Sequence, residues 1–258
     1  MIQAMGGLMS LTGERDGAPQ KVGVPIVDLM TGMYAAVAIL AAVAKRDKTG
    51  QGETIDLAML DVASGILANQ AMNWLVGNPQ GGKMPHRAGN RHPNIQPQDV
   101  FPAADGHIVL AVGNDGQFAK LCEAIARPDW AVDLRFVKNA DRVRNEAALT
   151  PMLAERFRDF TRAELTALLD AAGVPCGPIN AVPDVFADPQ IQHRQMLRHL
   201  PHPVAGSVPQ VVSPIRMQDA PLTFDRAPPT LGQHTAEVLA ELGLDEPARD
   251  ALAAKGIV

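Results

Sequence analysis

Apolar and small residues run almost unbroken through VGVPIVDLMTGMYAAVAILAAVA, residues 22–44, where Asp28 and Tyr34 are the only ionisable side chains. From Leu29 onward the run has no polar face, the pattern of a helix enclosed by protein. The basic, glycine-containing KRDKTGQGE after it suits a helix C-terminus and turn. The pattern therefore predicts a buried helix from Leu29 to about Lys45. Next, ETIDLAM alternates like a short strand, and LDVASGILANQAMNWLV reads as a second, mostly apolar helix. Residues 77–97, GNPQGGKMPHRAGNRHPNIQP, have no periodicity and are rich in Gly, Pro and Asn, which predicts a loop. A loop that long inside a compact protein is often functional or disordered.

From Gln98 the pattern changes. DVFPAADGHIVLAVG looks like a hairpin, with ADG at the turn and a β-rich run after it. GQFAKLCEAIA is a short amphipathic helix; NEAALTPMLAERF is helical too, and Pro151 should kink or restart it. TRAELTALLDAAG carries a capping box, Thr161 with Glu164, and a stop at Gly173. VPCGPIN is a short extended segment, residues 197–231 are Pro-rich with scattered short strands, and two helices run from about Gln233 to Lys255. This order predicts an α/β or α+β fold: long buried N-terminal helices and then a smaller mixed α/β part.

Composition narrows the functional classes. Hydrophobic residues make up 47% and charged residues 20%, enough apolar material for a substantial core and the profile of a soluble globular protein. With a net charge of −5 and no stripe of Lys and Arg interleaved with aromatics, nucleic-acid binding has no support. The run at 22–44 is nearly long enough to span a bilayer, but Pro25 and Asp28 interrupt it and its clean part, Leu29 to Ala44, is short and Ala-rich. A core helix fits better than a membrane span. The first dozen residues have no basic start, so no targeting segment is expected. Cys122 and Cys176 match no metal-ligand spacing, and His86, His92 and His107 lack carboxylate or cysteine partners at suitable spacing; no metal is expected, and a reducing cytoplasm is the natural compartment. Cys176 and Trp74 read as core residues. The phosphate-loop, dinucleotide, zinc-protease and nucleophile-elbow signatures are absent.

Asp28 is the residue to explain, because an isolated carboxylate in apolar surroundings is costly. One reading makes it the N-cap of the long helix. The other uses the same place for chemistry: open N–H groups and positive potential at a helix start keep a partly desolvated carboxylate ionised, and such a carboxylate is a competent nucleophile toward an activated acyl group. The two readings are compatible.

The segment QAMGGLMSLTGERDGAPQKVGVPIVDLMTGMYAAVAILAAVAKRDKTGQGETIDLAMLD, residues 3–61, closely resembles the class III CoA-transferase family of CaiB/BaiF type. Formyl-CoA transferase, carnitine CoA-transferase and α-methylacyl-CoA racemase belong to that family. The resemblance continues in RAGNRHPNIQPQDVFPAADG, AAGVPCGPIN and RAPPTLGQHTAEVLAELGL, and so covers essentially the whole chain. It implies that Asp28 is the catalytic nucleophile, which takes CoA from an acyl-CoA through a mixed anhydride and an aspartyl-CoA thioester. The CoA then passes to a small carboxylic acid, with dicarboxylic acids among the candidates. It implies CoA and acyl-CoA as substrates, no tightly bound cofactor, and a homodimer at full length.

By the same resemblance the long loop aligns with a glycine-rich loop that closes over the active site. Here the glycines are largely replaced: His92, Pro93, Asn94 and Ile95 occupy those positions, followed by Gln96 and Pro97, a stiffer lid. His92, Asn94 and Gln96 are candidate hydrogen-bond donors to a substrate carboxylate, with Ile95 between them. The resemblance also implies a Rossmann-like portion ahead of this segment, holding most CoA contacts. The histidine position of the racemases falls in that portion, so racemisation is the alternative within the family, and a non-catalytic or partner-dependent chain the alternative outside it. The implied division is 1–76 for a helical part with the nucleophile, 77–97 for the active-site loop, 98–190 for a small α/β domain and 191–258 for a return to the large domain.

Overall fold

Pro25 decides where the long helix begins. In the computed structural model, which describes residues 1–77 and 84–258, the chain passes from α1 (Ile2–Met5) and α2 (Leu8–Leu11) through an extended stretch to α3 (Ile26–Thr49). The expected loop at 77–97 is described except for residues 78–83, which lie outside the described residues. Pro25 is the N-cap of α3, and the helix runs 24 residues to Gly50, whose left-handed backbone (φ 73°) closes it with an N–H bond to Arg46 O. Arg46 and Lys48 occupy the last turn, where cations meet the negative end of the helix dipole.

The expected burial of this helix does not hold within the chain. Only Val27 of α3 is buried, while Leu29, Met33, Val37 and Leu40 face solvent, Leu40 at 69%. An apolar face is buried only when an element covers it; here α4 (Met59–Gly65) packs on α3 and the rest stays open. Two local expectations also change. Residues 51–58, which include most of the alternating ETIDLAM, form no ladder among the described residues, because alternation alone cannot make a strand without a partner. The second helix is broken into α4 and α5 (Ala68–Gly77), with Ala68 at φ 49° where they meet.

The buried core lies C-terminal to these helices. β1 (Gln98–Ala103) and β2 (Gly106–Ala111) form the expected hairpin, with Phe101 opposite Ile108, and β3 (Cys176–Pro178) pairs antiparallel along the other edge of β2. Between them come α6 (Asp115–Ala124), α7 (Pro128–Val132), α8 (Asn139–Arg144), α9 (Glu146–Phe157) and α10 (Arg162–Ala172). Alternation along β2 turns Ile108 and Leu110 to one face, where they meet Phe118, Leu153, Phe157 and Leu165. Phe101 meets Phe157 edge to face, with ring centres 5.3 Å apart. Pro151 sits inside α9 without ending it. Leu149, Leu153 and Phe157, spaced by four, all enter the core, and that burial outweighs the missing N–H. The capping box of Thr161 and Glu164 forms as expected, and Gly173 (φ 69°) ends α10.

The chain divides into two compact units, Met1–Ile179 and Asn180–Val258. The second contains α11 (Val182–Ala187), α12 (Pro189–His193), the antiparallel pair β4 (Leu197–His202) and β5 (Gly206–Val211), α13 (Thr235–Glu241) and α14 (Glu246–Ala254). The fold class is the expected mixed α/β.

Candidate active site

Asp28 is the third residue of α3, not its cap. Pro25 takes the cap position, Leu29 N–H makes the first return bond to Pro25 O, and Asp28 stands in the first turn with its side chain exposed. The open N–H groups of a first turn still favour a negative charge there. Among the described residues its carboxylate has no hydrogen-bond or ion-pair partner, so both oxygens are free to react. Two contacts fix the turn beneath it. Val27 is buried at 1% exposure, and Thr31 Oγ1 donates to Val27 O at 2.7 Å.

The approach to that turn is held from α1. Gln3 Oε1 accepts from Val22 N at 2.9 Å, while Gln3 Nε2 donates to Val22 O (3.5 Å) and Val24 O (3.4 Å). A side-chain amide thus grips the backbone just before Pro25. Sequence patterning gives no sign of this beyond the presence of a Gln in the motif.

The segment 92–97 is the other candidate. His92 Nδ1 accepts from Asn94 N at 3.1 Å, which in the neutral ring leaves the proton on Nε2. Asn94 is exposed and donates through Nδ2 to Asn73 Oδ1 of α5 at 3.2 Å; Ile95 is half-buried. Gln96 is turned inward at 2% exposure, and its Nε2 donates to His92 O at 3.0 Å. Among the described residues no hydrogen bond links Asp28 with this segment.

Beneath the segment lies a polar network that sequence reading missed. Gln96 N donates to Asn139 Oδ1 (3.0 Å), Asn139 Nδ2 donates to Asn94 O (2.9 Å), and Arg142 Nε donates to Gln96 O (2.6 Å). Arg142 has no exposed surface; its other nitrogens donate to Phe136 O, Val137 O and Asp115 Oδ1, and its guanidinium lies 4.5 Å from the Phe118 ring centre. Partial burial pushes the Asp115 carboxyl up, but the Arg142 hydrogen bond and charge, the Asn139 N–H and Lys138 outweigh it and hold the group below its ordinary value.

Two cavities border these elements. One of about 550 Å³ lies between α2, α4 and α5, with Leu11, Leu67, Trp74 and Met84 supplying apolar wall and Asp61 and Gln70 polar groups. Trp74, expected in the core, lines this cavity instead. The other, about 440 Å³, opens beside the loop at Asn69, Arg91, His92, Gln98 and Asp99. Arg91 pairs with Asp99 at 3.5 Å and also with Glu146, so two carboxylates already offset its charge. Neither thiol offers a nucleophile: burial raises Cys122 to about 12, and burial with Asp170 alongside raises Cys176 to about 11. Cys176 packs against the core from its edge.

Known proteins resemble this chain over nearly its whole length. A family model described as CoA-transferase family III matches residues 1–235. The chain is 43% identical over 242 residues to a succinate–glutarate CoA-transferase of Agrobacterium fabrum, covering 94% of this chain and 60% of that protein. It is 36% identical over 259 residues to a human succinyl-CoA:glutarate CoA-transferase, covering all of this chain and 58% of that one. Among solved structures, a CaiB/BaiF family protein from Brucella suis superimposes with a TM-score of 0.77 at 48% identity, over 94% of this chain and 62% of that one. The chain thus spans about 60% of the length of the curated relatives it matches.

Proposed function

The chain belongs to CoA-transferase family III, and on that premise we propose that it carries the nucleophilic carboxylate of an enzyme that moves CoA between an acyl-CoA and a small dicarboxylic acid. The carrying observation is Asp28: a solvent-reachable, unpartnered carboxylate in the first turn of a long helix, within a segment the family model covers. The choice of a dicarboxylic acid rests on relatives named for succinate and glutarate, and for succinyl-CoA with mesaconate.

The reaction divides into two exchanges. An Asp28 oxygen attacks the thioester carbonyl, forming a mixed anhydride and releasing CoA thiolate. The thiolate then attacks the aspartyl carbonyl, leaving an aspartyl-CoA thioester and a free carboxylate. The incoming acid attacks that thioester to give a second mixed anhydride and thiolate, and thiolate attack on the acid's carbonyl restores Asp28. Splitting the exchange this way replaces one difficult step by easier ones, and first-turn N–H groups are available to steady the oxyanions. CoA and acyl-CoA act as substrates throughout. In this reading His92 Nε2 and the Asn94 amide face the acid, Ile95 supplies an apolar wall, and Gln96 braces the loop. Homodimeric assembly is part of the same proposal, supported by the uncovered apolar face of α3, and so is a cytoplasmic setting, which the two free cysteines suit.

The test is intact-protein mass spectrometry of the full chain after incubation with succinyl-CoA. The mass should rise by one CoA less one water, the adduct should disappear with hydroxylamine, and Asp28→Asn should remove it while unfolding at the wild-type denaturant midpoint. Wild-type protein that is folded and never labelled overturns the reading.

A further inference from the structure

The sequence KNADRVRNE, residues 138–146, looks like a solvated, charge-rich stretch. Its structure differs. Asn139 and Arg142 are three residues apart on α8, a spacing that puts both on one face, and that face is turned toward residues 94–96. Three hydrogen bonds cross the gap: Gln96 N to Asn139 Oδ1, Asn139 Nδ2 to Asn94 O, and Arg142 Nε to Gln96 O. Asn139 is itself fixed, because its backbone N–H donates to Asp115 Oδ1 at 2.9 Å, the oxygen that also receives Arg142 Nη2 at 2.9 Å.

We propose that Asn139 is the positioning residue of the substrate loop, holding Asn94 and Gln96 by their backbones so that the His92 and Asn94 side chains meet the acid in one fixed arrangement. This rests on the reading of 92–97 as the acid-binding loop given above. The two Asn139 bonds run in opposite directions, one accepting and one donating, and so fix both the height and the tilt of the peptide run between them. Arg142 anchors the same run from inside the fold, but it is enclosed and tied to Phe136 and Val137 as well, so its removal would disturb the core. Asn139 is only half-buried, and its loss should leave the core intact.

The experiment compares wild type, Asn139→Ala and a control, Lys138→Ala, which removes an outer partner of Asp115 and touches none of the three loop bonds. Amide hydrogen exchange by NMR on the full chain reads the loop whether or not the protein turns over. Asn139→Ala should speed exchange at Gln96 N–H about tenfold, the factor expected for one lost hydrogen bond, with Leu121 and Leu153 unchanged. Lys138→Ala should match wild type. Unchanged exchange at Gln96, or equal acceleration at Gln96, Leu121 and Leu153, overturns the proposal. In turnover with succinate as acceptor, Asn139→Ala should raise KM for the acid about tenfold, with the hydroxylamine-sensitive adduct still formed in full; a lower kcat at unchanged KM overturns the positioning role. A wild type that gives no adduct counts against the transferase reading alone, and the exchange result then decides the loop proposal by itself.

Discussion

Arg142 shows how a full charge can sit at zero exposure: its guanidinium reaches three backbone carbonyls and one carboxylate, and its flat side rests on Phe118. Removing it would strand Gln96 O and Phe136 O without donors. Arg142→Met should therefore cost about 3 kcal/mol in urea unfolding, while Arg142→Lys, which keeps the charge but not the fork, should fall between. Asp115 supplies the pH dependence. Its folded-state value is depressed, so its contribution is complete above the ordinary 3.8 and fades as pH falls through the lower folded value. Asp115→Asn should be the less stable protein near neutrality, and its stability curve should converge with wild type as pH falls below the ordinary carboxylate value. Equal stability near neutrality would show the pair contributes nothing. None of this was legible in the sequence, where Arg142 is one of several charges in a row. Asp28 could be picked out in the sequence as a candidate, because a lone acid in an apolar run stands out and the surrounding motif resembles a known family, while its place inside the helix rather than at the cap could not.

At the scale of the element, what could be read in advance was whatever local chemistry decides. The Thr161–Glu164 box formed as expected: Thr161 Oγ1 accepts from Glu164 N, and the Thr161 backbone N–H and hydroxyl hold the Glu164 carboxyl below its usual range. Thr161→Ala should destabilise the protein by about 1 kcal/mol, visible as a lower thermal midpoint; a change under about 0.3 kcal/mol would mean the Asp105 bond to Arg162 N–H suffices to start α10. Features set by tertiary partners were not readable. ETIDLAM has a strand's alternation and no ladder partner among the described residues, while Pro151 is tolerated because three core side chains of α9 outweigh one missing bond.

For the molecule as a whole, α3 is the exception. Its length and apolarity are those needed to cross a bilayer, yet it carries Asp28 in its first turn and Arg46, Asp47 and Lys48 near its end, and its middle lies open. Sequence could say that this helix is sticky but not what covers it. The chain alone should self-associate at micromolar concentration by light scattering, and Val37→Glu with Leu40→Glu, on one face of α3, should shift it toward monomer. A wild type monomeric at about 100 μM would show that this face is stable in water. A last consequence concerns cooperativity. The large buried cluster lies wholly between Phe101 and Val174, whereas among the described residues before it the buried apolar ones are few: Val27, Val62, Ala63 and Pro97, with Gly6. The two tryptophans fall on opposite sides of that divide, Trp130 inside the cluster and Trp74 in the open cavity wall. Heating should therefore quench or shift Trp74 emission first and Trp130 emission later, so that one melting midpoint would describe only the better-packed part.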